Sequence, residues 1–341
     1  MKAARLHSYH ERLKLDSIDE PTASGPLDVV VRIGGAGLCR TDLHIIEGQW
    51  AEKSGVTLPY TLGHENAGWV HEVGSAVSNV EVGDAVIVHP LIACGLCRAC
   101  RAGDDMHCEA GAFPGIDTDG GFAELLKTNA RAVVKLDPAI APQDVAAHAD
   151  AGLTAYHAVK KAAAILEPGT RAVVIGAGGL GHIGIQVLKA ISAATLVVVD
   201  RNPAAVELAV SIGADHGIVA DGTQVRQVLE LTGGRGAEAV VDFVGEGGAT
   251  AEGVAMLRRA GNYYVVGYGE DLVVPTIDVI STEINFVGNL VGSYTDLQEL
   301  MVLAAQGKVT LHTSKYPLTD FQQAIDDLDR GLVRGRAILI P

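Results

Sequence analysis

The stretch RAVVIGAGGLGHIGIQVLKAISAATLVVVD, residues 171–200, limits the fold more than any other part of the chain. An apolar run ends at Gly176, a helical period begins near Gly181, and a second apolar run closes on Asp200. Two buried strands joined through a helix must lie parallel in one sheet, because the crossover carries the chain back to the starting edge. The alternation continues through PAAVELAVSIGA, HGIVA, VRQVLELTGG, AEAVVDFVG, TAEGVAMLRRAG and NYYVVGYG. It is preceded by PQDVAAHADAGLTAYHAVKKAAAIL, an Ala-rich segment of helical period. Apolar strands separated by helices predict a doubly wound parallel sheet from about residue 143 onward. The 171–200 run is not a membrane span, since it carries His182, Gln186 and Lys189 and its glycines cluster at one end.

Within that run Gly176, Gly178 and Gly181 form G-x-G-x-x-G, with Gly179 and Leu180 inside the turn. The pattern alone is common. Here it follows a strand, opens a helix, and is answered by Asp200 at the end of the next strand, the context of a dinucleotide-binding turn. The glycines let the backbone approach a pyrophosphate, whose charge meets the free N–H groups of the helix start. Asp200 would accept the adenine ribose hydroxyls and repel a 2′-phosphate, favouring NAD. Arg201 beside it leaves NADP open.

The first 150 residues read differently. VVVRIGGAGL, GWVHEVG, GDAVIVHP, AELLKT and AVVKL are short β-type runs broken by Gly, Pro and Asp, which predicts an irregular barrel or sandwich. The tail gives two helices, LQELMVLAAQGKV and FQQAIDDLDRGLV, and a last strand that can return to this first domain. A net charge of −15 excludes the clustered cations that nucleic acid or an anionic membrane surface requires. MKAARLHSYHERLKLD has no apolar signal segment, so a cytoplasmic, thiol-reducing setting is expected.

In that setting the cysteines are informative. Four of five lie in CGLCRACRAGDDMHC, as Cys94, Cys97, Cys100 and Cys108. Four soft thiolates on one loop suit tetrahedral Zn2+ better than disulfides, and four protein ligands close the site to chemistry. The fifth, Cys39, stands in GLCRTDLHIIEG, followed by LGHENAG with His64 and Glu65. Cys39 and His64 alone read better as a buried small hydrophobe and a satisfied core histidine than as a catalytic metal site. Thr41, Asp42 and His44 shift the balance, since a hydroxyl, a carboxylate and an imidazole so close to Cys39 make a proton path.

These motifs in this order, extending to VGNLVGSYTDLQEL and GRAILIP, resemble the zinc-dependent alcohol dehydrogenases of the medium-chain dehydrogenase/reductase superfamily. AGDDMHCE, GGFAEL and DAGLTAYHAVKKAA are similar to its bacterial and archaeal tetrameric branch. The resemblance implies an α/β protein with a GroES-like β-barrel catalytic domain, residues 1–150 and 293–341, whose structural zinc lobe spans 90–110. It implies a Rossmann domain over 151–292. It implies two zinc ions per subunit, NAD, a small alcohol or carbonyl substrate and a homotetramer.

Residue by residue, the resemblance makes Cys94, Cys97, Cys100 and Cys108 the structural ligands and Cys39 and His64 catalytic ones. The third catalytic ligand is often cysteine in the family. None remains here, and Asp150 falls at that position, with His148 a nearby rival. Glu65 is similar to the carboxylate beside the zinc, and Asp42 to the residue that orients the histidine. Thr41 and His44 match the proton relay. Arg40 and Arg336 resemble pyrophosphate contacts, Thr154 a cofactor contact, and Val266, Tyr268 and Asn289 the groups that hold the carboxamide of nicotinamide. Trp50 and Leu290 either wall the substrate pocket or take an ordinary core role. The expected reaction is reversible oxidation of small to medium primary or secondary alcohols. The rivals are a polyol or threonine dehydrogenase and, in another class, a non-catalytic dinucleotide-binding redox sensor, which would have no use for a relay.

Overall fold

A computed structural model describes all residues, 1–341. Its strands in chain order are β1 (Lys2–Leu6), β2 (Lys14–Ser17), β3 (Asp28–Leu38), β4 (Tyr60–Thr61), β5 (Glu65–Val73), β6 (Ala85–Val88), β7 (Leu125–Asn129) and β8 (Val133–Lys135). There follow β9 (Arg171–Ile175), β10 (Thr195–Asp200), β11 (His216–Val219), β12 (Ala237–Asp242), β13 (Leu257–Val265), β14 (Asn285–Gly288), β15 (Thr313–Pro317) and β16 (Arg336–Ile340). The chain divides into two compact units, one of residues 1–153, 293–305 and 311–341, the other of 154–292 and 306–310.

The first unit is built on a seven-stranded sheet in which β15, β16, β3, β5, β6 and β8 are neighbours in that order and β7 also pairs with β3. A small sheet of β2, β1 and β4 stands beside it. β3 is the axis. It pairs antiparallel with β5, β7 and β16, so the last strand of the chain lies against one of the first. Phe122, Leu6, Leu38, Ile45 and Leu62 are fully buried in this unit.

The second unit is a six-stranded sheet in the order β11-β10-β9-β12-β13-β14, and every pair within it is parallel. Val173, Val174, Val197, Val198, Val240 and Val241 are at most 0% exposed, because helices cover both faces of a doubly wound sheet. The order reverses between β9 and β12, which opens a crevice at the carboxyl end of β9. Both halves of the expected architecture are therefore present.

Two local expectations differ from the structure. The helical reading of TAEGVAMLRRAG ends early: the helix is Ala249–Ala255, and β13 starts at Leu257. A register shift between β12 and β13 and a positive φ of 56° at Ala260 interrupt that strand's alternation, which hides its start from a periodicity argument. The Ala-rich segment is also not one helix. It breaks into Pro142–Val145, a 3₁₀ turn over Ala146–Ala149, and Ala151–Ala163, with Asp150 at the junction at φ −127° and ψ −59°. The His148 ring packs on Gly152, where a Cβ would sit 2.3 Å from Nδ1.

No helix is long and apolar enough to cross a membrane.

Candidate active site

The four cysteines of the 94–108 loop place their sulfurs within 4.8 Å of one another. Cys94 Sγ and Cys100 Sγ are 3.9 Å apart, Cys97 Sγ and Cys100 Sγ 3.4 Å. A tetrahedron with Zn–S bonds of about 2.3 Å has edges of roughly 3.8 Å, so little movement separates this group from a zinc site. The N–H groups of Leu96 and Cys97 point at Cys94 Sγ, and that of Cys94 at Cys108 Sγ. The Leu96 and Cys97 amides pull the Cys94 thiol down to about 6, and those of Cys100 and Glu109 lower Cys97. Burial pushes Cys100 up to about 12. Asp105, inside the loop, accepts the Tyr294 N–H on both oxygens, at 3.1 and 3.2 Å, and so ties the lobe to the helix Tyr294–Ala305.

A second group lies elsewhere in the same unit. One donor atom each from Cys39, His64, Glu65 and Asp150 falls within 4.8 Å of the others. Cys39 follows β3 and caps the helix Arg40–Ile46; its N–H donates to Asp42 Oδ2 at 2.8 Å. Asp42 is fully buried and sets its other oxygen 3.4 Å from His64 Nδ1, so one carboxylate orients two members of the group. His64 Nε2 is 3.4 Å from Asp150 Oδ2. His64 follows Gly63, whose φ of +99° and bare Cα against the Phe122 ring allow no side chain. Phe113 presents its ring at 89° to the His64 imidazole, centroids 6.0 Å apart. Glu65 opens β5 opposite Gly37 of β3, where a Cβ would lie 1.9 Å from Glu65 Oε2.

This cluster fits a divalent metal. It combines sulfur, nitrogen and oxygen donors, and His64 Nε2 and Glu65 Oε2 are buried without a hydrogen-bond partner. A cation supplies the partner that such buried groups otherwise lack.

In the other unit the expected cofactor residues gather at the carboxyl edge of the parallel sheet. Gly176, Gly178 and Gly181 follow β9. Gly176 has φ +88°, a Cβ on Gly181 would lie 1.8 Å from the Gly176 carbonyl oxygen, and a Cβ on Gly178 would meet no protein atom within 4 Å. Turn, close helix packing and open approach thus fall on the three glycines separately. Asp200 ends β10 and accepts the Ala177 N–H at 2.7 Å and the Asn202 N–H at 2.8 Å. Val266 follows β13 and Asn289 follows β14, with the Asn289 amide donating to the Val265 and Val287 carbonyls.

Comparison with known proteins agrees with this geometry. Residues 25–138 match the alcohol dehydrogenase GroES-like domain, and residues 179–306 the zinc-binding dehydrogenase domain. The crystal structure of the alcohol dehydrogenase from the archaeon Aeropyrum pernix is 48% identical, with a TM-score of 0.96 over 100% of both chains. The NAD-dependent alcohol dehydrogenase of Sulfurisphaera tokodaii is 37% identical over 351 residues, 100% of both chains. The chain belongs to the zinc-type medium-chain alcohol dehydrogenases. The D-arabinose 1-dehydrogenase (NADP(+)) of Saccharolobus solfataricus is also similar, 36% identical over 100% of this chain and 97% of its own.

Within this dehydrogenase fold the remaining expected residues are distributed unevenly. Thr41 and His44 are half-buried and three residues apart on one short helix, so they share a face, while Arg40 is exposed. His148 is buried but lies outside the four-residue group that includes Asp150. Gly179 and Leu180 immediately precede the helix Gly181–Ile191, Thr154 lies within the helix Ala151–Ala163, and Tyr268 and Leu290 are exposed. The Arg201 guanidinium donates to the Gly247 carbonyl. Trp50 packs against the core of its own unit.

Arg336 is where the structure adds most. It is 5% exposed, and its guanidinium is paired with Glu65 Oε1 rather than lying open at the surface. Burial disfavours its charge, but Glu65 and then Cys39 outweigh that and raise its pKa further. The His64 imidazole shows the same contest: burial opposes its charge, while Asp42, Asp150 and Cys39 outweigh it and lift its pKa well above 6.5. Burial raises Glu65, with Arg336 opposing. The Arg336–Glu65 pair and the Phe113 contact escape a reading of the sequence. Only the charge that opens the apolar strand RAILI hints at the first, and nothing in the spacing marks Phe113.

Proposed function

We propose that the protein is an NAD-dependent alcohol dehydrogenase that reversibly oxidises small to medium primary and secondary alcohols to aldehydes and ketones. The observation that carries this is the convergence of Cys39, His64 and Asp150, from three distant stretches, on one buried point. Three protein ligands leave a tetrahedral metal an open position, the arrangement of catalytic rather than structural sites. A second zinc is assigned to Cys94, Cys97, Cys100 and Cys108. When bound, zinc supplies Lewis acidity toward an alcohol or carbonyl oxygen, and NAD supplies the hydride acceptor.

The chain's own residues do the rest. Asp42 holds His64 through the Nδ1 side, leaving Nε2 for the metal. Thr41 Oγ1 accepts the hydroxyl proton of the alcohol as its own proton moves on along a relay that ends at the His44 ring. Gly176, Gly178, Gly179, Leu180 and Gly181 receive the pyrophosphate at the helix start. Asp200 holds the adenine ribose, Thr154 adds a cofactor contact, and Val266, Tyr268 and Asn289 serve the carboxamide. A cytoplasmic homotetramer is part of this reading, supported by family likeness.

Elemental analysis tests it. About two zinc ions per chain are expected, with Cys39→Ser losing one together with activity and Cys100→Ser losing the other. A parent protein holding one zinc, or an active Cys39→Ser variant, removes the catalytic site. The likeness to a D-arabinose dehydrogenase and to the L-threonine 3-dehydrogenase of Bacillus velezensis, 33% identical over 325 residues, supports a second reading within the same chemistry. A substrate panel separates them: turnover of a sugar or threonine with none of simple alcohols selects the second.

A further inference from the structure

Asp242 is a buried carboxylate outside both metal groups, and it stands where the order of the parallel sheet reverses. It closes β12, the neighbour of β9 across the crevice in which an open parallel sheet binds its ligand. A carboxylate buried there needs its lone pairs answered by protein donors, and those donors show what it holds.

Oδ1 accepts the N–H groups of Val244 and Gly245 at 2.8 and 3.0 Å, which curls the chain directly after β12. Oδ2 accepts the Tyr263 hydroxyl at 2.5 Å. Tyr263 reaches it because Asp242 is paired with Val265, two residues further along β13, so these side chains share one face of the sheet. Burial and then the Asp242 charge raise the pKa of Tyr263, which keeps the proton on its oxygen and the bond charge-assisted. The Asp242 carbonyl takes the Val266 and Gly267 N–H groups at 3.0 and 2.9 Å. One residue therefore ties two turns, 243–245 after β12 and 266–267 after β13. The turns also touch directly: a Cβ on Gly245 would lie 2.2 Å from the Gly267 carbonyl oxygen, and one on Gly267 2.4 Å from the Val244 carbonyl carbon. On its other side the first turn meets the glycine-rich one. A Cβ on Gly176 would lie 2.6 Å from Val244 Cγ2, and one on Gly184 2.7 Å from Phe243 Cζ. Residues 243–245 thus form a spacer between Gly176, assigned to the pyrophosphate, and Val266, assigned to the carboxamide. Beyond the spacer other groups hold the loop, the Arg201 guanidinium at Gly247 and the Glu270 carboxylate at Thr250.

We propose that Asp242, pinned by Tyr263, is a positioning residue that sets the distance between the pyrophosphate turn and the backbone that receives the nicotinamide carboxamide. The inference rests on the NAD-dependent dehydrogenase reading and adds to it the device that aims the reactive ring. Asp242 acts through the two turns rather than on the reacting atoms. Without the Tyr263 hydroxyl the carboxylate loses one of its three donors, residues 243–245 loosen, and Val266 is no longer held at a fixed span from Gly176. The adenosine half, assigned to Asp200 and the helix start, keeps its grip.

The test titrates the whole protein with NADH and with ADP-ribose, the same dinucleotide without its nicotinamide. Tyr263→Phe is expected to weaken NADH about tenfold and ADP-ribose by less than about twofold. The emission of bound NADH is expected to move toward that of the free dinucleotide. Asp242→Asn keeps an oxygen for the Val244 and Gly245 amides but sets an NH2 group against the Tyr263 hydroxyl, and is expected to show the same selective loss. A Tyr263→Phe protein whose two affinities stay at the parent's values, or fall together, overturns the proposal whatever it loses in stability. A merely structural pair lowers Tm without separating the two ligands. If Tyr263→Phe does not fold, the same ratio in Asp242→Asn decides. Failure of the underlying reading appears separately, in a parent protein that binds neither NADH nor ADP-ribose.

Discussion

Two glycines of one turn should respond in opposite ways to the same added methyl group. On Gly181 a Cβ would lie 1.8 Å from the Gly176 carbonyl oxygen, roughly 1 Å inside the closest approach that real Cβ atoms make. The obstacle is backbone, so strand and helix must part. Overpacking of this kind costs about 3 kcal/mol, which for a unit of this size lowers Tm by about 6–12 °C. On Gly178 the Cβ meets nothing within 4 Å, and its φ lies outside the left-handed region. Gly178→Ala should therefore keep the parent's stability or gain about 0.5 kcal/mol from the less flexible unfolded chain. The methyl would instead stand where a pyrophosphate must approach. NADH affinity should fall at least about tenfold, a loss of about 1.4 kcal/mol. Thermal unfolding by circular dichroism and NADH titration by fluorescence measure both quantities. Equal loss of stability in the two variants would refute the division of roles, as would normal NADH binding by Gly178→Ala.

Asp200→Ala should weaken NAD binding by about 2 kcal/mol, the loss of hydrogen bonds to a charged acceptor, and leave NADP binding level or better; tighter NADP than NAD binding by the parent in the same titrations contradicts the ribose argument. Tyr263→Phe takes away the hydroxyl that donates to Asp242 Oδ2 at 2.5 Å, leaving a buried carboxylate oxygen short of a partner, and should cost about 1–3 kcal/mol in urea unfolding. Lys135, with the Glu81 N–H, holds the Asp84 carboxyl below its ordinary 3.8. Because the folded value is depressed, its contribution is complete above about pH 4 and is lost as pH falls through the lowered value. Asp84→Asn should cost up to about 1 kcal/mol at pH 7 and less as pH falls through the lowered value, so a gap between the two unfolding curves that does not narrow in acid would count against it.

The parallel sheet is legible in the sequence because its strands are buried on both faces and read as unbroken apolar runs. The glycine turn and Asp200 follow from it by position. The cysteine lobe is legible because its ligands are adjacent in the chain. The second metal group is only half legible. Cys39 and His64 stand out, but the junction that exposes Asp150 is hidden in an Ala-rich segment whose composition favours one continuous helix. Local propensity does not register the Glu65 carboxylate bonding the Ala151 N–H at that helix's start. Arg336 is harder still. Its partner is set by the pairing of β16 with β3, a long-range fact that no window of sequence contains. The late start recognised for β13 has a different cause, an irregular register that spoils the period of two.

The contrast between the two groups of donor side chains also predicts an order of maturation for the polypeptide. All four sulfurs of the lobe are synthesised within one short loop, so a nascent chain can grip an ion soon after Cys108 leaves the ribosome, at little entropic expense. The other centre waits for Asp150 and, for its guanidinium, for a strand among the last residues made. Apoprotein refolded with a single equivalent of zinc should therefore fill the lobe and remain inert, and turnover should begin only with the second equivalent.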